Sequence, residues 1–376
     1  MTRVTLPPAT IGIIGGGQLG RMMAISAKQM GYKVIGLEPM PSGPLAQVAD
    51  LEINALYESG AALEQLLSLS DVVTYEFENI NSQIIKEFSA KGNIPQGYRP
   101  LEITQNRYIE KNSIVSCGFK TAPFEKVDSI EDLEEAIKKI GYPSILKTVS
   151  GGYDGKGQWT LKSDEDLENV YSVIELQNCI LEGFVPFIKE ISVIVTRGIN
   201  GQIETFPVVE NIHHNHILHL SIVPARIDET LRQKSMEIAA TLIEKLDFIG
   251  TLAIEMFVLE DDIIINELAP RPHNSGHYTI DACNVSQFEQ HIRAICGLPL
   301  IKPLLRQPAM MVNLLGQHME YTLKMWAKPE FSEAKLHLYG KEEMRHNRKV
   351  GHLTFMNSSE SELEETVNRF LINFPK

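Results

Sequence analysis

Nowhere in the 376 residues does an apolar run reach 18 positions, so no helix of bilayer-spanning length is expected. Cysteine is scarce: Cys117, Cys179, Cys283 and Cys296 stand far apart, with neither a Cys-x-x-Cys pair nor a zinc-ligand spacing. That scatter implies buried, reduced thiols in a cytosolic protein. Basic residues are outnumbered, 35 Lys+Arg against 48 Asp+Glu, and the net charge of −13 with a pI near 5.4 argues against a nucleic-acid-binding face. Internal repeats, low-complexity tracts and a usable signal-peptide pattern are all missing; MTRVTLPPATIGIIGGG runs straight into a glycine turn. What is present is a globular composition, 43% hydrophobic and 22% charged, in a chain long enough for two or three domains.

The first hundred residues alternate strand and helix signals. TIGIIGG predicts a strand, QLGRMMAISAKQMG a helix closed by Gly31, and KVIGLE a second strand. AALEQLLSLS is a helix and DVVTYEF another strand, an alternation that implies a parallel sheet with crossover helices. GNIPQGYRP reads as a boundary. Beyond it Ser129 caps a helix through EDLEEAIKKI, ended by Gly141. SILKTV and GQWTLK are strands around SGGYDGKG, SDEDLENVYSVIE is a helix, and CILEGFV and KEISVIVTR are strands. Asp228 caps the helix ETLRQKSMEIAATLIEKL, and the mixed segment from 301 finishes in the amphipathic SELEETVNRFLINF.

Chemistry-bearing residues gather in TLAIEMFVLEDDIIINELAPRPHNSGH, residues 251–277. Two strands joined by an acidic turn are expected. With Glu260-Asp261-Asp262 as the loop, Val258 pairs with Ile264 and Glu255 falls opposite Glu267. Facing residues of an antiparallel pair hold their Cβ atoms roughly 4.5–5.5 Å apart. Two carboxylates so placed repel unless a proton or a cation sits between them, and such oxygen ligands suit magnesium. A one-residue slip would instead turn them to opposite faces of an ordinary solvent-facing hairpin. Directly afterwards Arg271 is held between two prolines. It offers a planar fork to a carboxylate or bicarbonate, with His273 and Asn274 beside it, unless it serves a structural salt bridge.

Two glycine loops add to this. GGGQLG, residues 15–20, satisfies GxGxxG between a strand and a helix, and Glu38 ends the next strand. A nicotinamide enzyme is therefore a first hypothesis, although any phosphate at a helix N-terminus asks for the same glycines. SGGYDGKGQW lacks the Gly-Lys-Ser/Thr ending and lies between two strands, so it reads as a flexible hairpin able to close over phosphates rather than a P-loop. Lys147 shares a largely apolar face with Ile145 and Val149, which calls for an anion unless the lysine snorkels to the sheet edge. Of the histidines at 213, 214, 216 and 219, His214 and His216 would share a strand face with only Glu210 to join them as metal ligands. One ligand-facing histidine, His213, with surface neighbours is the preferred reading.

Taken in order, GGGQLGRM, TYEFENI, LKTVSGGYDGKGQ, NELAPRPHNSGH and KLHLYGKEEMRHNRKVGHL resemble the ATP-grasp superfamily, and within it the 5-(carboxyamino)imidazole ribonucleotide synthetases. The resemblance covers nearly the whole chain. It implies an α/β and α+β architecture, the ATP-grasp fold: an N-terminal Rossmann-like parallel-sheet domain over 1–105, an ATP-grasp domain over 106–300 with a mobile lid at about 118–186, and a small C-terminal domain over 301–376. It implies ATP with magnesium or manganese, aminoimidazole ribonucleotide and bicarbonate as ligands, and a cytoplasmic homodimer without nucleic-acid or membrane partners.

By the same resemblance, Arg107, Lys147 and the loop Gly152, Tyr153, Asp154, Gly155, Lys156 and Gly157 face the ATP phosphates. Glu182, Gly183, Phe184 and Val185 line the adenine, Glu190 meets the ribose, and His213 lies on the nucleotide side. Glu255 and Glu267 hold the metal, with Asn266 beside them. Arg271, His273 and Asn274 form the bicarbonate or carboxyphosphate pocket. Gln18, Leu19, Glu76, Lys341, Arg348 and Lys349 bind the ribonucleotide, the last three at its phosphate, while Tyr153 and Asp154 approach its amine. GGGQLG then hosts the ribonucleotide and Glu38 becomes incidental. Two positions depart from the pattern: Asn106 stands where Asp is usual, and His346-Asn347 where Pro-Gly is usual.

The implied reaction is ATP-dependent carboxylation through carboxyphosphate, with magnesium and Lys147 spreading charge on the transferred phosphoryl group and the lid excluding water. Alternatives are a formate-dependent glycinamide ribonucleotide transformylase or a biotin-carboxylase-like protein. A nicotinamide oxidoreductase accounts only for residues 11–38, and a non-catalytic nucleotide-binding regulator needs no paired glutamates beside Arg271.

Overall fold

The computed structural model describes residues 4–151, 157–173 and 178–375, with backbone alone at 168, 172 and 173. Strands β1 (Thr10–Ile14), β2 (Lys33–Leu37), β3 (Leu51–Ile53) and β4 (Val72–Tyr75) make a parallel sheet in the order β3-β2-β1-β4. The chain winds outward from β1 to β3 and returns to β4 on the other side of β1. The crevice at the carboxyl ends of β1 and β4 is therefore a topological switch point, the place where open α/β sheets bind ligands.

Four strands, β5 (Phe124–Val127), β6 (Ser144–Thr148), β7 (Gln158–Leu161) and β8 (Cys179–Gly183), form a small antiparallel sheet in the order β5-β8-β6-β7. Ser129 caps its helix Ile130–Ile140 by accepting from Asp132 N–H, and Leu133 and Ala136 pack with Val127, Leu146 and Leu181.

The third sheet comprises β9 (Lys189–Arg197), β10 (Ile203–Thr205), β11 (Val209–His214), β12 (Ile217–Val223), β13 (Gly250–Val258), β14 (Ile263–Ala269), β15 (Ala309–Leu315), β16 (Lys335–Leu338) and β17 (Lys349–Met356). Its order is β14-β13-β9-β11-β12-β15-β17-β16, with β10 on β9, so the C-terminal strands extend the sheet through β12 without a break. Helix Glu229–Lys245, capped by Asp228, buries Ile238, Ala239, Leu242 and Ile243 against Val193, Val195, Leu252 and Ile254. Each such aliphatic side chain contributes about 1.5–3 kcal/mol on leaving water. No helix among the described residues is long and apolar enough to cross a membrane.

The β11–β12 hairpin departs from the expected histidine pattern. Its two-residue turn is Asn215 (φ 50°) and His216 (φ 64°), both in the left-handed region that a type I′ turn requires. His216 is thus in the turn and shares no strand face with His214. His219 is half-buried rather than on the surface, stacked on His214 with Phe374 close by, and burial lowers its pKa to about 4.

Helix Gln287–Cys296 fixes the first sheet to the third. Phe288, Ile292 and Ile295 pack with Met22, Met23 and Ala27 of helix Gln18–Gln29. From the same helix the fully buried His291 accepts Thr251 N–H of β13 at Nδ1 (3.1 Å) and meets Thr74 Oγ1 of β4 at Nε2 (2.8 Å). Thr74 in turn bonds Gln96, whose Nε2 donates to Pro270 O at 3.3 Å. The backbone just before Arg271 is thereby tied to the first sheet. Replacing His291 by Leu leaves Thr251 N–H and Thr74 without this partner, and each buried group left unpaired costs about 1–3 kcal/mol. Chemical denaturation of His291→Leu should show a loss of at least that size.

Candidate active site

Glu255 of β13 lies directly opposite Glu267 of β14, but by a different route from the one expected. The turn is Glu260-Asp261 alone, closed by Leu259 N–H donating to Asp262 O (2.8 Å), so Val258 pairs with Ile263 and not with Ile264. Continued unbroken, that register would set Glu255 against Asn266 and turn Glu267 to the other face. A bulge on β14 absorbs Asn266 and restores the carboxylate pair.

The pair divides electrostatically. Burial and the facing Glu267 push the Glu255 carboxyl up to about 7. Burial also raises Glu267, but Arg107, with Nη1 3.2 Å from Glu267 Oε2, and then Lys147 outweigh it and hold this carboxyl below its ordinary value. Both are hemmed in by protein yet open on one side: 25% of the Glu255 side chain and 46% of Glu267 remain exposed. Two oxygen donors on one face, one of them short of a compensating cation, fit a hard divalent ion.

Helix Arg107–Ser116 presents three titratable side chains, Arg107, Glu110 and Lys111, on the cleft side. Asn106 caps it by accepting from Tyr108 and Ile109 N–H. Lys111, 1% exposed, lies 3.4 Å from Glu182 Oε2, and Lys147 Nζ reaches the same oxygen at 2.9 Å. Glu182 therefore sends its carboxylate toward two ammonium groups; burial raises it, but Lys111 and Lys147 outweigh that and keep it ionised. Its other oxygen meets no hydrogen-bonding partner among the described residues. Beyond it Phe184 is exposed and Val185 buried. Glu110 accepts Leu268 N–H at 2.7 Å, and burial with the nearby Glu267 pushes it up to about 8. Sequence reasoning passed over Glu110 and Lys111, although spacings of three and four from Arg107 put all three on one helical face.

The Pro270–Asn274 turn closes the cleft on the far side of Glu255. Arg271 Nε lies 2.9 Å from Glu78 Oε1, and its Nη1 donates to Pro272 O at 3.1 Å. The buried amide of Gln287 clamps His273, accepting its N–H (2.8 Å) and donating to its carbonyl (2.7 Å). His273 Nε2 is 3.3 Å from Glu255 Oε1. Both amide atoms of Asn274 are sheltered from solvent and find no hydrogen-bonding partner within the described protein.

At the switch point, Gly15 adopts φ 108°, and a Cβ there would come within 2.7 Å of Glu76 Cγ. Gly17 N–H donates to Glu76 Oε1 (2.7 Å), and burial raises the Glu76 carboxyl. Glu38, expected to be incidental, is not. Its Oε2 accepts Gly16 N–H at 2.6 Å and the Tyr57 hydroxyl at 2.5 Å, holding the glycine loop from the other side. A carboxylate so engaged is poorly placed for a nicotinamide ribose. Gln18 is half-buried at the start of its helix, while the Leu19 side chain belongs to the core, which leaves only its backbone for a ligand.

Elsewhere, Glu190 pairs with His213 Nδ1; burial lowers that imidazole, but Glu190 outweighs it and raises its pKa. Lys341 Nζ donates to Lys349 O at 2.8 Å, and burial lowers the ammonium to about 8. Arg348 Nη1 donates to Glu343 O at 3.2 Å. The Lys349 charge bears on Glu255 and His273 as well as on Lys341. Gly157, at φ 70°, starts the return into β7. Gly152, Tyr153, Asp154, Gly155 and Lys156 lie outside the described residues.

Three family descriptions match the chain: ribonucleotide synthetase preATP-grasp domain over residues 8–105, ATP-grasp domain over 112–288, and phosphoribosylaminoimidazole carboxylase C-terminal domain over 309–366. The N5-carboxyaminoimidazole ribonucleotide synthase of Bacillus subtilis (strain 168) is 50% identical over 372 residues, which span 98% of this chain and 97% of that one. The chain belongs to the N5-carboxyaminoimidazole ribonucleotide synthetase family of ATP-grasp ligases. Among solved members, an ADP complex of one synthetase superposes with a TM-score of 0.95 at 51% identity, covering 98% of both chains. The Aspergillus clavatus synthase, in complex with ADP and 5-aminoimidazole ribonucleotide, superposes at 0.89 and 29% identity over 96% of this chain and 97% of that one.

Both departures from the synthetase pattern are absorbed locally. Asn106 caps its helix as Asp would. Asn347 takes φ 61°, which Asn tolerates, and its N–H donates to Gln317 Oε1 at 2.9 Å. Asp281, His337 and His352 also cluster, but the two imidazole rings stack 15° from parallel with centroids 4.6 Å apart, so their in-plane lone pairs do not converge on one ion.

Because the folded pKa of Glu255, about 7, exceeds its ordinary 4.5, the folded state binds this proton more tightly than the unfolded one. Its contribution to stability is complete below pH 4.5, declines as pH rises toward 7, and totals at most about 3 kcal/mol. Denaturant titrations of metal-free protein should show that decline, and Glu255→Gln should flatten it.

Proposed function

We propose that the chain uses ATP and bicarbonate to carboxylate 5-aminoimidazole ribonucleotide, giving 5-(carboxyamino)imidazole ribonucleotide, ADP and phosphate in purine biosynthesis. The observation that carries this is the position of Glu255. It faces Glu267 and the phosphate-side cations across one side and His273 across the other, so phosphoryl donor and carbonate share a single cleft.

Glu255 and Glu267 are the residues that would hold magnesium, or manganese in its place, and Asn266 is carried beside them by the bulge. Such an ion supplies neutralisation of the charge that develops on the transferred phosphoryl group. Arg107, Lys111 and Lys147 supply further positive charge on that side. An incoming triphosphate competes with Glu182 and Glu267 for these cations, Lys147 and Glu182 being carried on the small antiparallel sheet. Arg271 and the sheltered Asn274 amide hold bicarbonate in line with the γ-phosphate, and positioning of this kind is the larger part of catalysis in such a transfer. The ribonucleotide lies between the Gly15–Gly17 loop, where Gln18 and Glu76 face it, and Lys341, Arg348 and Lys349. By the resemblance alone, Tyr153 and Asp154, which lie outside the described residues, serve the amine. Units at 1–105, 106–300 with the lid at about 118–186, and 301–376 follow from the resemblance; the first and second sheets support the N-terminal unit and the lid, while the third sheet runs across the boundary at 300. A homodimer and a cytoplasmic location follow from the resemblance alone.

Phosphate release should require magnesium and rise when aminoimidazole ribonucleotide and bicarbonate are supplied together; a rate indifferent to both contradicts the assignment. Glu267→Gln should lower kcat by roughly 10²–10³-fold, the scale of losing one charge-stabilising group, with the fold intact by circular dichroism. Arg348→Ala should raise KM for the ribonucleotide about tenfold or more, because a charged hydrogen bond contributes about 1.5–3 kcal/mol, and should leave KM for ATP unchanged.

A further inference from the structure

Behind His273 the large sheet carries a row of polar side chains removed from solvent. Ser192 of β9, Asn211 of β11 and Ser221 of β12 lie on neighbouring strands, and Ser275 follows the Pro-Arg-Pro turn. The three serines are 0% exposed and Asn211 is 6% exposed. Placing four hydrogen-bonding side chains inside an apolar sheet is costly unless each is paired, and here each is. Ser221 Oγ donates to Asn211 Oδ1 at 3.0 Å, Asn211 Nδ2 to Ser192 Oγ at 2.9 Å, and Ser192 Oγ to Ser275 Oγ at 2.8 Å.

The direction of this chain decides the state of its last member. A serine hydroxyl has one proton to give. Ser275 Oγ accepts from Ser192, so its own proton is directed to its remaining neighbour, His273 Nδ1, 2.9 Å away. The Ser275 backbone N–H points at the same nitrogen from 3.4 Å, because His273 caps the short turn Asn274–Gly276. Surrounded by donors, Nδ1 accepts. The ring's N–H is therefore at Nε2, which faces Glu255 Oε1 at 3.3 Å at the edge of the cleft.

We infer that Ser221, Asn211, Ser192 and Ser275 form a positioning relay that fixes His273 as an Nε2–H donor, so that His273 stabilises negative charge on a carbonate or carboxyphosphate oxygen and does not serve as a base. The identity of the anion rests on the function proposed above; the direction of the hydrogen bonds does not. The register supports the same conclusion. Ser192 is the cross-strand partner of Glu255, so the relay and the carboxylate pair are built on one row of the sheet, and the nitrogen that meets the cleft is set by residues that never touch a ligand.

The test begins with wild-type protein carrying 15N-labelled histidine, with the His273 signals assigned by their loss in His273→Gln. Nδ1 should resonate as an unprotonated nitrogen and Nε2 as a protonated one; a proton on Nδ1 with a bare Nε2 overturns the inference. In kinetics, His273→Gln keeps an N–H donor and His273→Ala does not. A lost oxyanion donor costs roughly 10²–10³-fold in kcat, so Gln should retain roughly tenfold more activity than Ala; equal loss excludes the donor role. Ser275→Ala should lower kcat several-fold, leave KM for ATP and ribonucleotide unchanged, and shift the His273 nitrogen signals toward a tautomer mixture. Unaltered kcat and unaltered nitrogen signals would remove the relay. Ser192→Ala, which withdraws the donor to Ser275, replaces it should Ser275→Ala not fold. A wild-type enzyme that ignores ribonucleotide and bicarbonate would refute the proposed reaction alone, since the nitrogen signals are read without substrate.

Discussion

Repulsion between Glu255 and Glu267 is the constraint to which the rest of the cleft responds. Two carboxylates held face to face cannot both ionise cheaply without positive charge nearby. Arg107 and Lys147 settle Glu267. Glu255 is left with a carboxyl near 7 and His273 as its neighbour, so a divalent ion binding there must displace its proton and binds more tightly as pH rises through that range. Glu110 follows from the same constraint: lying behind Glu267, it is driven to hold its proton and to serve as an acceptor for the Leu268 N–H. A single unfavourable pair thus accounts for the placement of cations in front and a neutral acid behind.

That arrangement needs a rigid frame, and the frame is polar where the chemistry is. His291, Thr74 and Gln96 tie the start of the Pro-Arg-Pro turn to the first sheet. Gln287 clamps the backbone of His273 from both sides, and Gly276 stands where any Cβ would come within 2.4 Å of that amide. Such satisfied buried networks are worth more for fixing geometry than for stability. They hold the turn in place while Arg271 lies beside Glu78.

Much of the fold was readable along the chain because local signals agree. Capping by Ser129 and Asp228, the apolar strands and the glycine ends fall where composition and spacing put them. The facing glutamates were also reached from sequence, yet through two compensating errors. A three-residue loop and an unbroken ladder gave the same partner for Glu255 as a two-residue turn followed by a bulge at Asn266. A bulge has no local signature in IIINEL, since it is selected by which side chains the cleft demands. Glu38 was misjudged for a related reason: its carboxylate bonds backbone donors at Gly16, far from it in sequence.

Strand periodicity, helix caps, the glycine loops and the order of the family's motifs are properties of neighbouring residues, so the linear chain already specified the architecture and the reaction class. Long-range registry belongs to the folded molecule. It alone could bring Lys111 to Glu182 and align Ser192 and Asn211 behind His273, because each contact joins segments whose spacing carries no mutual trace. Charges and proton directions are set by burial and by three-dimensional neighbours, and no one-dimensional pattern encodes either.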